Sequence, residues 1–162
     1  MYLTLAEADA YFNTHLQRDT WFSYLPEERS RALAEATRII DSLPYAGRVA
    51  VPGQPHAFPR AFPASFLLPP SEQSFDHLLY GLRPYYVQPA VPQRVLDAVC
   101  EVALHLLASQ NDSRRKLQEA GVTRFSLGEL SEEYGPVGLK QLLGSAAYRL
   151  LQPYLAGSVA CV

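Results

Sequence analysis

The chain has 162 residues, 48% apolar and 19% charged, a globular composition long enough to enclose one hydrophobic core. A formal net charge of −2 argues against strong whole-body attraction to nucleic acid or anionic lipid, while leaving room for a local basic face. No run approaches the ~20 apolar residues that span a bilayer, and the N-terminus lacks the basic and apolar regions of a secretion signal, so a cytoplasmic setting is expected.

In chain order, Thr4 and Glu7 form a capping box ahead of Leu5, Ala8, Phe12 and Leu16 at helical spacing, which predicts a helix over residues 5–16. Pro26, followed by Glu27 and Glu28, has the character of a helix start. Leu33, Ala36, Thr37 and Ile40 then make a buried stripe, and Leu43–Pro44 ends it. Pro92 opens a third helix whose wide apolar face, Leu96, Val99, Cys100, Ala103, Leu106 and Leu107, marks the central core helix. That helix is expected to run on to about residue 120, with Gly121 as its stop. Val122, Phe125, Leu127, Leu130 and Tyr134 are then separated by polar residues and broken at Gly128, the pattern of a short hairpin or extended arm. A last helix begins with Ser145 as cap and is anchored by Leu150 and Leu151. The fold class is therefore mainly α: one domain over residues 1–162, a bundle of three to five helices with a short β-hairpin or arm.

Between the second and third helices lies a segment of unusual composition. Ten of the 13 prolines fall from Pro44 to Pro92, together with eight of the 18 aromatic residues. Proline lowers the entropy of the unfolded segment, and aromatics give it something to pack with. Residues 61–90 are expected to form an ordered, irregular insert. Its Phe62, Phe66, Phe75, Tyr80, Tyr85 and Tyr86, with Phe125 and Leu127 of the arm, are the expected contacts to a neighbouring subunit or another partner protein. The uncharged tail, residues 152–162, is expected to be mobile until a partner orders it.

No phosphate loop, nucleophile elbow or zinc-binding helix pattern is present. Cys100 reads as a small buried hydrophobe, and Cys161 has no metal or redox spacing to it. His15, His56, His77 and His105 are scattered. Adjacent pairs such as Glu27–Glu28 and Glu132–Glu133 do not face one another and read as solvated charge. Arg114, Arg115 and Lys116 form the only basic cluster. It reads first as a solvated helix face and second as a surface lining a DNA channel. The expectation is a protein without enzymatic activity, metal or cofactor.

Several pieces form an ordered set: "YLTLAEADAYFNTHL", Trp21, "PEERSRALAEATRIIDSL", "YAGR", Gln54 with "AFPR" at 57–60, "VPQRVLDAVCEVALHLL", "GVTRFSLGELSEEY" and "SAAYRLLQPYL". Together they resemble the head–tail connector (adaptor) proteins of tailed phages, a family often labelled DnaT-like single-stranded-DNA-binding. The likeness covers residues 2–60 and 91–155. Two departures stand out: about thirty residues, 61–90, replace a shorter connector, and Ala46 separates Tyr45 from the glycine that usually follows a tryptophan. The resemblance implies a virion protein, assembled in the host cytoplasm, that forms a ring of twelve copies beneath the portal. Such a ring extends the channel for packaged double-stranded DNA and docks the tail or a stopper protein; no membrane is involved. It further implies that the C-terminal segment grips the portal, here through Gln152, Pro153, Tyr154, Leu155, Val159 and Val162. The alternative is a DnaT-like single-stranded-DNA binder, which the acidic charge and the presence of only two lysines, Lys116 and Lys140, make less favourable.

Overall fold

The Thr4–Glu7 capping box forms as the sequence predicts. The Thr4 N–H donates to Glu7 Oε2 at 2.7 Å, the Glu7 N–H returns to Thr4 Oγ1 at 3.4 Å, and helix α1 (Leu5–Asn13) follows. The structure is a computed structural model and describes residues 1–63, 85–110, 124–127, 130–133 and 138–156. Helix α1 stops three residues short of Leu16, which is 99% exposed instead of lying on the buried stripe. The space beyond Phe12 is taken by Trp21, which is carried on the short helix α2 (Arg18–Phe22) and stacks on the Phe12 ring at 4.2 Å. Sequence periodicity gives no sign of α2, because five residues are too few to show a period.

Helix α3 (Pro26–Asp41) starts at Pro26, with Glu28 accepting the Leu25 N–H at 2.9 Å. Its expected stripe, Leu33, Ala36, Thr37 and Ile40, is buried throughout. Thr37 is tolerated there because its hydroxyl donates to the Leu33 carbonyl at 2.9 Å. Helix α4 (Gln93–Ser109) is the central element, with α3 packed along one side of it and α6 (Ser145–Leu151) along another. Its buried set is Val95, Ala98, Val99, Cys100, Val102, Ala103, Leu104 and Leu107, whereas Leu96 and Leu106 are only partly buried. The expected face is therefore widened and turned toward Val95 and Val102, because neighbours cover α4 from more than one side. The continuation expected to residue 120 lies outside the described residues.

A short helix α5 (Leu139–Leu143), absent from the sequence reading, precedes α6. Gly144, at φ +83°, makes the bend between them and takes the capping position expected for Ser145. A Cβ at Gly144 would lie 3.2 Å from the His105 ring, so both backbone conformation and space favour glycine here.

Beside the helices lies a three-stranded antiparallel sheet, β1 (Arg48–Val49), β2 (Arg60–Pro63) and β3 (Tyr85–Val87), with β2 in the middle. Ala61 pairs with Arg48 on one side and Val87 on the other, and Phe62 pairs with Tyr86. The beginning of the expected irregular insert and a stretch near its end are thus regular strands hydrogen-bonded to one another. Residues 64–84, including Phe66, Phe75 and Tyr80, lie outside the described residues. The expected hairpin forms as β4 (Arg124–Leu127) and β5 (Leu130–Glu133), with Leu127 opposite Leu130.

The C-terminal segment also differs from expectation. Gln152–Tyr154 form a 3₁₀ turn, and the following residues join the body. The Ala46 N–H donates to the Tyr154 carbonyl and the Ala156 N–H to the Pro44 carbonyl, both at 2.8 Å, around a Tyr45–Leu155 bridge. The part of the tail through residue 156 is therefore docked, because Leu155 has a buried site to enter.

Leu33 is fully buried and Leu16 fully exposed. Leu33→Ala should lower stability by about 2–5 kcal/mol in a urea titration, the usual range for emptying a buried leucine site. Leu16→Ala should move it by no more than about 0.5 kcal/mol, as for an exposed residue away from special features.

Candidate functional site

The segment that joins the helices to the sheet holds the densest polar network of the described residues. Arg60, 8% exposed, spreads its guanidinium over main-chain carbonyls. Nε donates to Ala46 at 2.8 Å, Nη1 to Ala57 at 3.1 Å, and Nη2 to Gly47 at 2.9 Å and Tyr45 at 3.4 Å. Its plane lies over the Tyr45 and Phe58 rings, 5.4 and 5.9 Å from their centroids. Burial lowers the Arg60 pKa. Gln54 completes the loop, donating to the His56 and Pro59 carbonyls at 2.6 and 3.0 Å and accepting the Val51 N–H at 3.0 Å. Gly47 is required at the crossing: φ is +73° and a Cβ would come within 2.4 Å of the Ala61 carbonyl oxygen. The "YAGR" and "Q…AFPR" motifs are thus parts of one cage, and its arginine is committed to carbonyls rather than to a phosphate.

A second network surrounds Asp41, the last residue of α3. Its carboxylate accepts from the Tyr2 hydroxyl and from the Ala57 N–H, and His56 Nδ1 lies 2.8 Å away. The Tyr2 oxygen in turn accepts the Phe58 N–H at 3.2 Å. Burial first, and the Asp41 carboxylate second, push the Tyr2 phenol well above its usual pKa. Carboxylate, imidazole and hydroxyl meet here, but the carboxylate faces the tyrosine directly, so no His-activated nucleophile results. The arrangement ties the N-terminus, the end of α3 and the 56–58 loop together. Sequence reasoning missed it because its members lie as much as 56 positions apart.

The third cluster sits between α1 and α4. Glu101 accepts from the Tyr11 hydroxyl at 2.8 Å and lies 3.0 Å from His15 Nε2. Burial, followed by Glu101, raises the Tyr11 pKa. An open cleft of about 220 Å³ adjoins it, lined by Gln17, Glu101, His105, Ala108 and the Gly144–Ala147 stretch, with His105 Nε2 3.0 Å from the Gln141 carbonyl oxygen. The cleft has room for a small polar molecule. Its His105 and Glu101 already have protein partners, and among the described residues no group of three His, Cys, Asp or Glu could hold a metal ion.

The expected contact residues are spread over several places. Phe62, placed at a subunit interface by its apolar character, is 3% exposed within this chain and belongs to its own interior. Leu155, expected at the portal, is likewise buried, because the Tyr45–Leu155 bridge draws it against the body. Gln152 is exposed, and Pro153 and Tyr154 are partly so. Tyr85 and Tyr86 lie in β3, and Phe125 and Leu127 in β4. Phe66, Phe75, Tyr80, Arg114, Arg115, Lys116, Val159 and Val162 lie outside the described residues. Leu16, expected on the buried stripe of α1, is exposed, and sequence reasoning passed over the exposed Leu25 after α2, Leu139 at the start of α5, and Val49, Val51 and Val87 in or beside the sheet. Short strands and turns give no periodicity from which to find them.

No family model, curated protein or solved structure matches the chain. Among the described residues no helix is long and apolar enough to cross a membrane. The fold is that of a small, mainly helical protein with a hairpin and a short sheet.

Two measurements probe these networks. Arg60→Lys keeps the charge but loses the planar fork, leaving buried carbonyls without donors, and should destabilise by about 2–3 kcal/mol in chemical denaturation. Burial pushes the Cys100 thiol up to about 12. Roughly one molecule in ten thousand would then carry the reactive thiolate at pH 8. In a Cys161→Ser background, Cys100 should therefore resist a thiol reagent at pH 8 until the protein is unfolded; prompt labelling of the folded protein would contradict its burial.

Proposed function

We propose that this chain is a head–tail adaptor: a structural protein that forms a ring beneath a portal, continues its DNA channel and offers a docking surface to a tail or stopper protein. The proposal rests on the ordered motifs that resemble this family. One structural observation supports it most. The motif side chains Thr4, Glu7, Gln54 and Arg60 engage groups within the fold, while the exposed aliphatics Leu16, Leu25, Val51 and Val87 remain for contact with partners. A protein whose polar motifs build its own scaffold offers its partners shape and apolar edges.

The DnaT-like reading draws less support. Single-stranded DNA binding calls for basic grooves and exposed stacking rings. Here Phe12, Trp21, Tyr45 and Phe58 are buried, and Arg60 is occupied by carbonyls.

The test is to mix the purified protein with the portal protein of the same particle and image the product by negative stain. The expected result is an added ring of density coaxial with the portal. Truncation after Ala156 should abolish that binding while preserving helix content, since residues 152–156 belong to the folded body and only 157–162 are removed. Absence of any portal complex, together with tight binding of an oligothymidine in fluorescence anisotropy, would replace the adaptor reading with the DNA-binding one.

A further inference from the structure

The two β elements of this chain have complementary deficits. In the sheet, β2 is paired on both sides, whereas β3 has only β2 as neighbour among the described residues. The Gln88 N–H donates to the Arg60 carbonyl at 2.9 Å, so the amide of residue 88 faces β2. Antiparallel alternation then turns the N–H and C=O of Val87 outward, away from the sheet. Among the described residues they meet no partner, and the Val87 side chain is half exposed. Among the described residues this is an open strand edge, of the kind that accepts another strand. Elsewhere in the same chain, β4 and β5 form a ladder that has only two strands among the described residues. Such a ladder is marginal in water and gains stability from a third strand.

We propose that the β3 edge at Val87 is the acceptor for the β4–β5 hairpin of a second copy of this chain, joined by strand addition. This rests on the assembly reading above and names the surface that would build the ring. Because acceptor and donor are different parts of one chain, the contact is head-to-tail. Every copy can then take one neighbour and be taken by another, which yields a closed ring where the rotation permits it. Main-chain hydrogen bonds supply the register, and the partner is defined as a strand with a free edge rather than as a pocket-filling side chain.

Proline separates this from an ordinary surface contact. Val87→Pro deletes the outward N–H, and an edge position tolerates it because no bond to β2 is lost. Sedimentation velocity over a wide concentration range should show wild-type self-association. Val87→Pro should weaken it by about tenfold or more, while Val87→Thr, which keeps the N–H, should stay within about twofold. Ser131→Pro, which spoils the donor hairpin, should also fail to assemble alone. Mixed in equal amounts, the two proline variants retain one intact acceptor and one intact donor, and should form heterodimers that grow no further. Should Val87→Pro not fold, amide exchange on the wild type gives the same answer: slowing at residue 87 on assembly supports the edge, and equal exchange overturns it. A wild type that stays monomeric throughout, a Val87→Pro variant that assembles normally, or proline variants that fail to complement would each overturn the proposal. Portal rings formed by Val87→Pro would remove the edge and leave the adaptor reading. Complementation without any portal complex would do the reverse.

Discussion

The guanidinium of Arg60 is the constraint on which the junction between helices and sheet depends. It is almost fully buried, and it faces main-chain carbonyls of residues 45, 46, 47 and 57 with no carboxylate among its hydrogen-bond partners. Bonds from a charged donor typically contribute about 1.5–3 kcal/mol each, against the cost of removing the cation from water. The geometry explains the residue type. Only a flat fork with five N–H groups can reach carbonyls on two loop segments and still lie over two aromatic rings. With those segments fixed, β2 begins at Arg60 itself, Gly47 crosses it at close range, and β1 falls into register with Val49 opposite Arg60.

The other polar clusters act in the same sense. Asp41 ties the end of α3 to two parts of the chain that are remote in sequence, and Asp9 accepts from both the Trp21 indole and Arg29 at 2.7 and 2.5 Å, seating the short α2 helix on the core. These are interior struts. The helical body around α4 is thereby cross-braced by side-chain bonds between segments remote in sequence.

Much of the body was legible in the sequence. The capping box at Thr4, Pro26 at a helix start, the α3 stripe and the apolar α4 all carry their information within one or two turns, and local spacing is sufficient to read them. The hairpin was legible for the same reason, since alternation broken at Gly128 is a local signal. What escaped was set by contacts between distant residues. Leu16 has helical spacing but lies beyond the end of α1, where Trp21 has filled its place. The pairing of β2 with β3 joins residues more than twenty positions apart, and neither strand is long enough to alternate visibly. The polar cages were illegible in principle, because "AFPR" names an arginine without naming the carbonyls it meets. A tail rich in small residues looked free, yet a single bridge to Tyr45 holds its first part.

That bridge has a mechanical consequence. The Ala156 N–H is bonded to Pro44, one residue before the strip that cages Arg60. Tension applied at Ala156 would be carried by the two bonds Ala156–Pro44 and Ala46–Tyr154, and through residues 44–47 by the arginine cage. The Tyr45 ring, packed edge-on against Phe58 at 4.7 Å, lies on the same load path, and so does Tyr154, 5.4 Å from that Phe58 ring. A pull at Ala156 would therefore strain the root of the sheet, so that this docked segment and the set of the β layer are mechanically in series.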